Sequence, residues 1–85
     1  MNKEEQAKGH LKEIFRKVFC PNGEKLTDME IMNAEFGRLS GWDSINHLHF
    51  VLEVERVFSL ERSPEHLFEF VSYAEVLRFL LNEKR

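Results

Sequence analysis

Apolar side chains recur along most of this 85-residue chain at helical spacing, and nowhere do they alternate over the length of a strand. The first such stripe predicts a helix over residues 3–19, which Pro21 and the Asn22-Gly23 pair bring to an end. The chain is therefore expected to fold as an all-α domain. The residues of the first stripe are Ala7, Leu11, Ile14, Phe15, Val18 and Phe19.

Capping residues mark where three further helices begin. Asp43 and Ser44 precede the clearest one, over residues 45–58, whose apolar side chains cover more than half of its circumference. Such a helix either lies centrally or keeps part of its apolar face for a partner. Ser63-Pro64-Glu65 opens a short helix that ends at about Glu69, and Ser72-Tyr73-Ala74-Glu75 has the form of a capping box. The last helix is expected to turn Tyr73, Val76, Leu77, Leu80 and Leu81 inward.

A long connection, residues 21–43, separates the first helix from the second. Thr27-Asp28-Met29-Glu30 has the form of a capping box and predicts one or two short turns through Ala34. The connection needs its own apolar anchors, for which the candidates are Leu26, Ile31, Phe36 and Leu39. We expect one domain over residues 1–85, with three longer helices, one short helix and this loop.

Composition excludes several classes of protein. Twelve Lys and Arg against fifteen Asp and Glu leave a formal charge of -3, which argues against nucleic acid as the main partner. No apolar run approaches the length of a membrane span, and Glu4 and Glu5 are unlike a signal peptide. The single Cys20 excludes an internal disulfide and a Cys-rich zinc site. We therefore expect a cytoplasmic protein, and a monomer.

The most informative string is Gly41-Trp42-Asp43-Ser44-Ile45. A serine at the start of a helix places its hydroxyl close to backbone N–H groups that have no partner within the helix. A phosphate ester formed there would be favoured by the positive end of the helix. The alternative is that Ser44 does no more than cap the helix.

Asp43-Ser44-Ile45, followed by a mostly apolar helix, resembles the attachment site of the acyl carrier protein family, whose signature is Asp-Ser-Leu. Residues 41–81 align with the family pattern without a gap, whereas residues 3–19 match its first helix only in type and length. The resemblance implies the four-helix carrier bundle. The other matching positions are Phe58, Leu60, Phe70, Ser72, Val76, Leu77 and Leu80.

In that family a phosphopantetheinyl transferase esterifies the serine with the 4′-phosphopantetheine of coenzyme A. The resemblance implies this modification at Ser44, with Asp43 assisting the transferase. The arm ends in a thiol that carries acyl or aminoacyl groups as thioesters, and the protein itself is not an enzyme. The implied partners are the transferase, an acyl- or aminoacyl-activating ligase, and synthases or transferases of fatty-acid, polyketide or related biosynthesis.

The same resemblance implies that Ile45, Leu48 and Leu52 dock partner enzymes, although all three would equally suit a core. His49 and Arg56 stand where bacterial fatty-acid carriers usually have acids. His47 is expected to add a third cation, while Glu53 and Glu55 remain as acids. This departure, together with Trp42, favours a carrier of a specialised pathway over one that serves a general fatty-acid synthase. A peptidyl or aminoacyl carrier is the nearest variant.

Other interpretations of the polar residues are weaker. Asp43, Ser44 and His47 include the residue types of a hydrolase triad, but neighbouring chain positions rarely align all three. His47 and His49 diverge by about 200° on a helix and cannot share a metal. His10 and His66 are expected at the surface or its boundary. The rival from another class is a helical interaction module that is never modified.

Two features bear on the interior of the domain. Bulky Phe50, Phe58, Phe68 and Phe70 are candidates to fill the space in which carriers shelter an acyl chain, which favours a short or polar cargo. Arg62 falls where the family usually has a core aliphatic residue. Its stem is expected to pack while its charged head reaches water.

Overall fold

A computed structural model describes residues 3–20, 26–39 and 41–83, omitting the side chain of Glu83. Within these ranges the chain forms five helices and no strand. An all-α fold is thus confirmed, and the predicted turn at residues 21–23 lies outside the described residues. The helices are α1 (Lys3–Phe19), α2 (Asp28–Met32), α3 (Ser44–Val57), α4 (His66–Glu69) and α5 (Tyr73–Glu83).

Most boundaries of the helices follow the predicted capping residues, but α4 begins only at His66, with Glu65 and not Ser63 at its N-cap position and with no side-chain cap. The predicted helix over residues 3–19 is α1, and α3 begins and ends within one residue of the prediction. The Ser72 hydroxyl accepts from the backbone N–H of Glu75 at 3.1 Å at the start of α5. After α3, the backbone N–H of Leu60 bonds to the Glu55 carbonyl, and Ser59 adopts a positive φ of 56°. Together with the N–H groups of Phe58 and Ser59, this arrangement gives partners to the carbonyls of Val54, Glu55 and Arg56.

The long connection is held in place by α2. Thr27 and Glu30 form the predicted capping box: the Thr27 hydroxyl accepts from the Glu30 backbone N–H, and the Glu30 carboxylate accepts from the backbone N–H of Thr27. Ile31 is fully buried, whereas Leu26 and Leu39 are partly buried. Phe36, the fourth expected anchor, is 42% exposed, but its ring packs against that of His47 with the centroids 4.9 Å apart. Its backbone N–H also bonds to the Val71 carbonyl at 2.8 Å, so both contacts fix this part of the loop.

The core forms where α1 packs against α3 and α5. Phe15 and Phe50 are fully buried, with ring centroids 4.8 Å apart, and Phe19 and Trp42 complete one aromatic cluster. Because Trp42 belongs to this cluster, the segment that precedes α3 is attached to the centre of the domain. The start of α3 is therefore placed by the core itself.

Several apolar residues lie elsewhere than predicted. Phe68 is 79% exposed and so does not fill the space beside α3, whereas Phe50 and Phe70 are fully buried and Phe58 is partly buried. Leu81, which was expected on the inner side of α5, lies at the surface and is 36% exposed. Among the described residues, no helix is long and apolar enough to cross a membrane, and no cluster of side chains could hold a metal ion.

Candidate functional site

Asp43, and not Ser44, is the residue that caps α3. Its backbone is extended, and its Oδ1 accepts from the backbone N–H of Asn46 at 2.9 Å. Ser44 is the first residue of the helix and is exposed. Its hydroxyl has no hydrogen-bond partner among the residues that the structure describes. The alternative in which Ser44 serves only as a cap is therefore wrong, because that role is already filled.

The loop before Ser44 is held at several points. The Asn46 side-chain amide donates to the Gly41 carbonyl at 2.8 Å, which closes the chain back over the first turn of α3. Gly41 has a φ of +88°, a backbone conformation that residues other than glycine rarely adopt. The backbone N–H of Trp42 also bonds to the carbonyl of Leu39. Ser44 thus stands on a well-supported turn.

Trp42 and His47 link this turn to α4. The Trp42 indole N–H donates to His47 Nδ1 at 2.9 Å, and His47 Nε2 lies 2.8 Å from the carbonyl oxygen of Leu67. Since the indole nitrogen only donates, His47 Nδ1 must accept, and its Nε2–H donates to Leu67. His47 is buried as a neutral imidazole. The expectation that it adds a surface cation is wrong, because both of its nitrogens are used inside the domain.

The five predicted docking residues lie on one exposed face of α3, within an arc of about 100°. Ile45 is 70% exposed, Leu48 45% and Leu52 40%. His49 and Arg56 are also exposed. We call these five residues the α3 face. None of its apolar members belongs to the core, and their role in docking stays a prediction.

The two acidic residues of α3 are both engaged within the domain. Glu53 accepts from Arg56 and from Lys17 Nζ, the latter at 2.9 Å, and these bonds lower the pKa of its carboxyl group to about 2. Glu55 is buried, with its Oε2 atom 2.6 Å from His66 Nδ1 and 3.2 Å from the backbone nitrogen of Ser63. Glu53 and Glu55 therefore do not remain as free acids.

His66 was expected at the surface or its boundary, but it is buried. Its ring stacks on Phe70 with a centroid separation of 4.5 Å, and the edge of Phe79 approaches it. The contact with Glu55 gives its polar Nδ1 atom a partner, which makes the burial of the ring possible. This pair joins the last turns of α3 to α4.

Two hollows border the α3 face. The first has a volume of about 190 Å³ and lies between α3 and the segment around α4, with almost entirely apolar walls. The second is larger, with a volume of about 420 Å³. Arg62 lines both and is exposed, as expected for an arginine that packs its stem and solvates its head. The first is lined by Leu48, Val51, Leu52, Glu55, Arg62, Ser63, Pro64 and Leu67, the second by His49, Leu52, Glu53, Glu55, Arg56, Leu60 and Arg62.

Comparisons of the chain with protein-family models, curated proteins and solved structures find no match. The contacts that sequence reasoning missed are those of the buried histidines. His47 could have been found, because it shares the helical spacing of Phe50, Val51 and Val54, which form the buried side of α3. The burial of His66 has no comparable signal, since its partner Glu55 lies in another helix.

Proposed function

We propose that this protein is an acyl carrier that bears a 4′-phosphopantetheine arm on Ser44. The observation that carries the proposal is that the Ser44 side chain is exposed and has no hydrogen-bond partner among the described residues. It is exposed at the first position of a 14-residue helix, and Asp43 has taken over the capping role. A hydroxyl in this position is available to a modifying enzyme without the loss of any described hydrogen bond.

The surroundings of Ser44 suit a phosphate ester. The first backbone N–H groups of a helix have no acceptor within the helix, and the helix dipole favours a negative charge beside them. Asp43 satisfies the N–H of Asn46 but leaves the solvent side of Ser44 open. Ser44 Oγ would form the ester bond to phosphorus, and the first turn of α3 would hold the phosphate oxygens.

When bound, the arm supplies a thiol that holds an acyl or aminoacyl group as a thioester. The residues of this chain position the arm and present a surface to partner enzymes, and in this proposal they make no bond in the substrate. The helices α1, α3, α4 and α5 would form the four-helix carrier bundle, with α2 as an insertion in its long loop. We expect a cytoplasmic monomer. A phosphopantetheinyl transferase would attach the arm, an acyl- or aminoacyl-activating ligase would load it, and synthases or transferases would receive the cargo.

A carrier of a specialised pathway is the form of this function that the charges support best. A general fatty-acid carrier presents free carboxylates along the helix that follows the serine, by the resemblance described above. Here both acids of α3 are bound by groups of the same chain. Polyketide, peptide or surface-polymer synthesis therefore leads over housekeeping fatty-acid synthesis, and a peptidyl or aminoacyl carrier is the nearest variant.

The second candidate is a helical interaction module that is never modified. The exposed apolar side chains of the α3 face favour it, because an apolar patch of this kind marks a site of protein association whether or not an arm is attached. The two functions differ in what they require of Ser44. A carrier is inert as Ser44→Ala, whereas an interaction module keeps its binding.

The decisive experiment is the intact mass of the protein after incubation with coenzyme A, Mg²⁺ and a broad-specificity phosphopantetheinyl transferase. We expect the wild type to gain one phosphopantetheine and Ser44→Ala to gain none. Ser59→Ala is the matched control, since Ser59 is also exposed but lies at the opposite end of α3. This control must be modified as fully as the wild type.

Absence of modification with several transferases, on protein whose helical circular dichroism and cooperative melting show that it is folded, would overturn the carrier function. Modification of Ser44→Ala as well would show that the arm is attached elsewhere. The first result would leave the interaction module as the remaining candidate, whereas the second would reject Ser44 as the attachment site.

A further inference from the structure

We propose that the α3 face docks a partner surface in which apolar side chains are flanked by carboxylates, so that the protein recognises acidic partners and not basic ones. This inference rests on the proposed function in that it names the chemistry of the carrier's partners. It concerns the five residues Ile45, Leu48, His49, Leu52 and Arg56, together with Arg62 beside them.

The apolar part of the face is large enough to anchor a partner. Ile45, Leu48 and Leu52 follow one another along α3, and each is at least 40% exposed. Leu48 and Leu52 also form part of the wall of the smaller hollow, between α3 and the α4 segment. Aliphatic or aromatic side chains of a partner would enter this hollow and lose their contact with water. The apolar contacts would supply most of the affinity.

The charged part of the face is positive once internal pairs are counted. Glu53 lies between Lys17 and Arg56, so this cluster of three charges carries a net charge of +1. The Glu55 carboxylate is buried against His66 and a backbone N–H group. No unengaged carboxylate therefore remains on α3.

Arg62 adds a second positive charge at the edge of this face. Its guanidinium group has no ion-pair partner among the residues that the structure describes. The neighbouring Glu61 is exposed but does not line either hollow. Arg56, Arg62 and His49 line the second hollow, together with the internally paired Glu53 and Glu55, and so face the same bound partner.

Arginine fits a carboxylate partner because its guanidinium group forms two parallel hydrogen bonds to the two oxygens. A lysine-rich partner would meet like charges across the interface, which lowers both the rate of association and the specificity. An amphipathic helix with an acidic rim is the simplest surface that combines the required apolar and carboxylate groups.

Two matched helical peptides test this inference. Both carry the same row of leucines on one face, and this row is flanked by glutamates in one peptide and by lysines in the other. Each is titrated into the ¹⁵N-labelled protein, and the backbone amide signals are followed by NMR. We expect the glutamate peptide to bind at least about tenfold more tightly, to shift the amides of residues 45–56 and 62, and to weaken as salt is added.

Two charge-reversal variants identify the surface that the peptides bind. Arg62→Glu is expected to weaken binding of the glutamate peptide severalfold and to strengthen that of the lysine peptide. Arg78→Glu makes the same change of charge on α5 and is expected to alter neither affinity. Melting curves of both variants show that the fold is retained.

The inference is overturned if the lysine peptide binds as tightly as the glutamate peptide. It is also overturned if the shifted amides lie outside the α3 face, or if Arg78→Glu has the same effect as Arg62→Glu. Because the titration needs no modified serine, its result is separate from the mass assay on Ser44. Binding of the glutamate peptide without modification of Ser44 would uphold the acidic-partner surface and reject the carrier function.

Discussion

At the scale of single residues, the buried polar groups determine how the segment before Ser44 is placed. The Trp42 indole N–H has one acceptor, His47 Nδ1, and both side chains are buried. An unpaired buried polar group costs about 1–3 kcal/mol, so each of these two groups depends on the other. The neutral state of His47 follows from this pairing and from its second bond to Leu67.

Trp42→Phe tests this bond, because phenylalanine keeps an aromatic ring in the cluster but has no N–H donor. We expect the free energy of unfolding to fall by about 2 kcal/mol, from the orphaned His47 nitrogen and the smaller ring. Urea denaturation measures the change. A double-mutant cycle with His47→Phe separates the bond from the loss of volume, and a coupling energy near zero would show that the bond contributes nothing.

The residue Asp43 has two separable roles, as a helix cap and as an aid to the transferase implied by the resemblance. Asp43→Ala removes the acceptor for the Asn46 N–H and should lower the free energy of unfolding by about 1 kcal/mol. Asp43→Asn keeps an oxygen acceptor and should change stability by a few tenths of that amount. Thermal melting of the two variants measures this difference.

The transferase role of Asp43 is read from the rate at which Ser44 is modified in the same variants. We expect both substitutions to slow modification, since both remove the carboxylate charge. A normal rate for Asp43→Asn would show that Asp43 acts only as a cap.

At the scale of the element, α3 is a helix with two apolar faces of different purpose. Its inner side carries Phe50, Val51 and Val54, all buried, whereas Ile45, Leu48 and Leu52 are exposed on the other. A helix at the edge of a bundle needs only one apolar stripe. The wide apolar circumference seen in the sequence is therefore divided between the core and the α3 face.

Leu48→Ala and Phe50→Ala distinguish the two faces of α3. Phe50 is fully buried, so its truncation should lower the free energy of unfolding by about 3–5 kcal/mol. Leu48→Ala should cost under about 1 kcal/mol, yet slow the modification of Ser44 by the transferase severalfold. Urea denaturation and the modification rate are compared for both variants. A large stability loss in Leu48→Ala with an unchanged rate would place Leu48 in the core.

At the scale of the whole molecule, polar contacts join helices that are distant in the chain. The Glu53 carboxylate receives hydrogen bonds from Arg56 on its own helix and from Lys17 on α1. These bonds stabilise the charged carboxylate and hold its pKa at about 2, below the ordinary value of 4.5. The bond from Lys17 also joins α1 to α3.

This depressed pKa predicts how Glu53 contributes to stability as pH changes. The contribution is complete above pH 4.5, the ordinary value, and is lost as pH falls towards about 2, the folded value. Glu53→Gln should therefore lower the free energy of unfolding by about 1 kcal/mol at pH 7 and by progressively less below the ordinary value. Urea denaturation across this range measures the difference between variant and wild type.

Glu13→Gln is the control for this pH series, since Glu13 is exposed on α1 and has no ion pair among the described residues. Its stability should follow that of the wild type at every pH. A difference between Glu53→Gln and the wild type that stays constant with pH would rule out the proposed role of the Glu53 charge.

The helices and their ends are what the sequence by itself determined. Helical spacing and capping residues act over three or four positions, so α1, α3, the capping box at Thr27 and the Ser72 hydroxyl bond at the start of α5 can be predicted directly from the chain. The place of Ser44 at the start of α3 follows from the same local rules. Because Asp43 caps the helix, the Ser44 hydroxyl is not used as the cap.

Only the tertiary structure decided which polar and aromatic side chains are buried and which partners they contact. His47 and Leu67 are 20 positions apart, and Glu55 and His66 are 11 apart, so no local sequence pattern predicts either contact. The exposure of Phe68 likewise depends on which side of α4 meets α3. Burial of a polar group is favourable only where a distant partner arrives in the right geometry, and the packing of the helices sets that geometry.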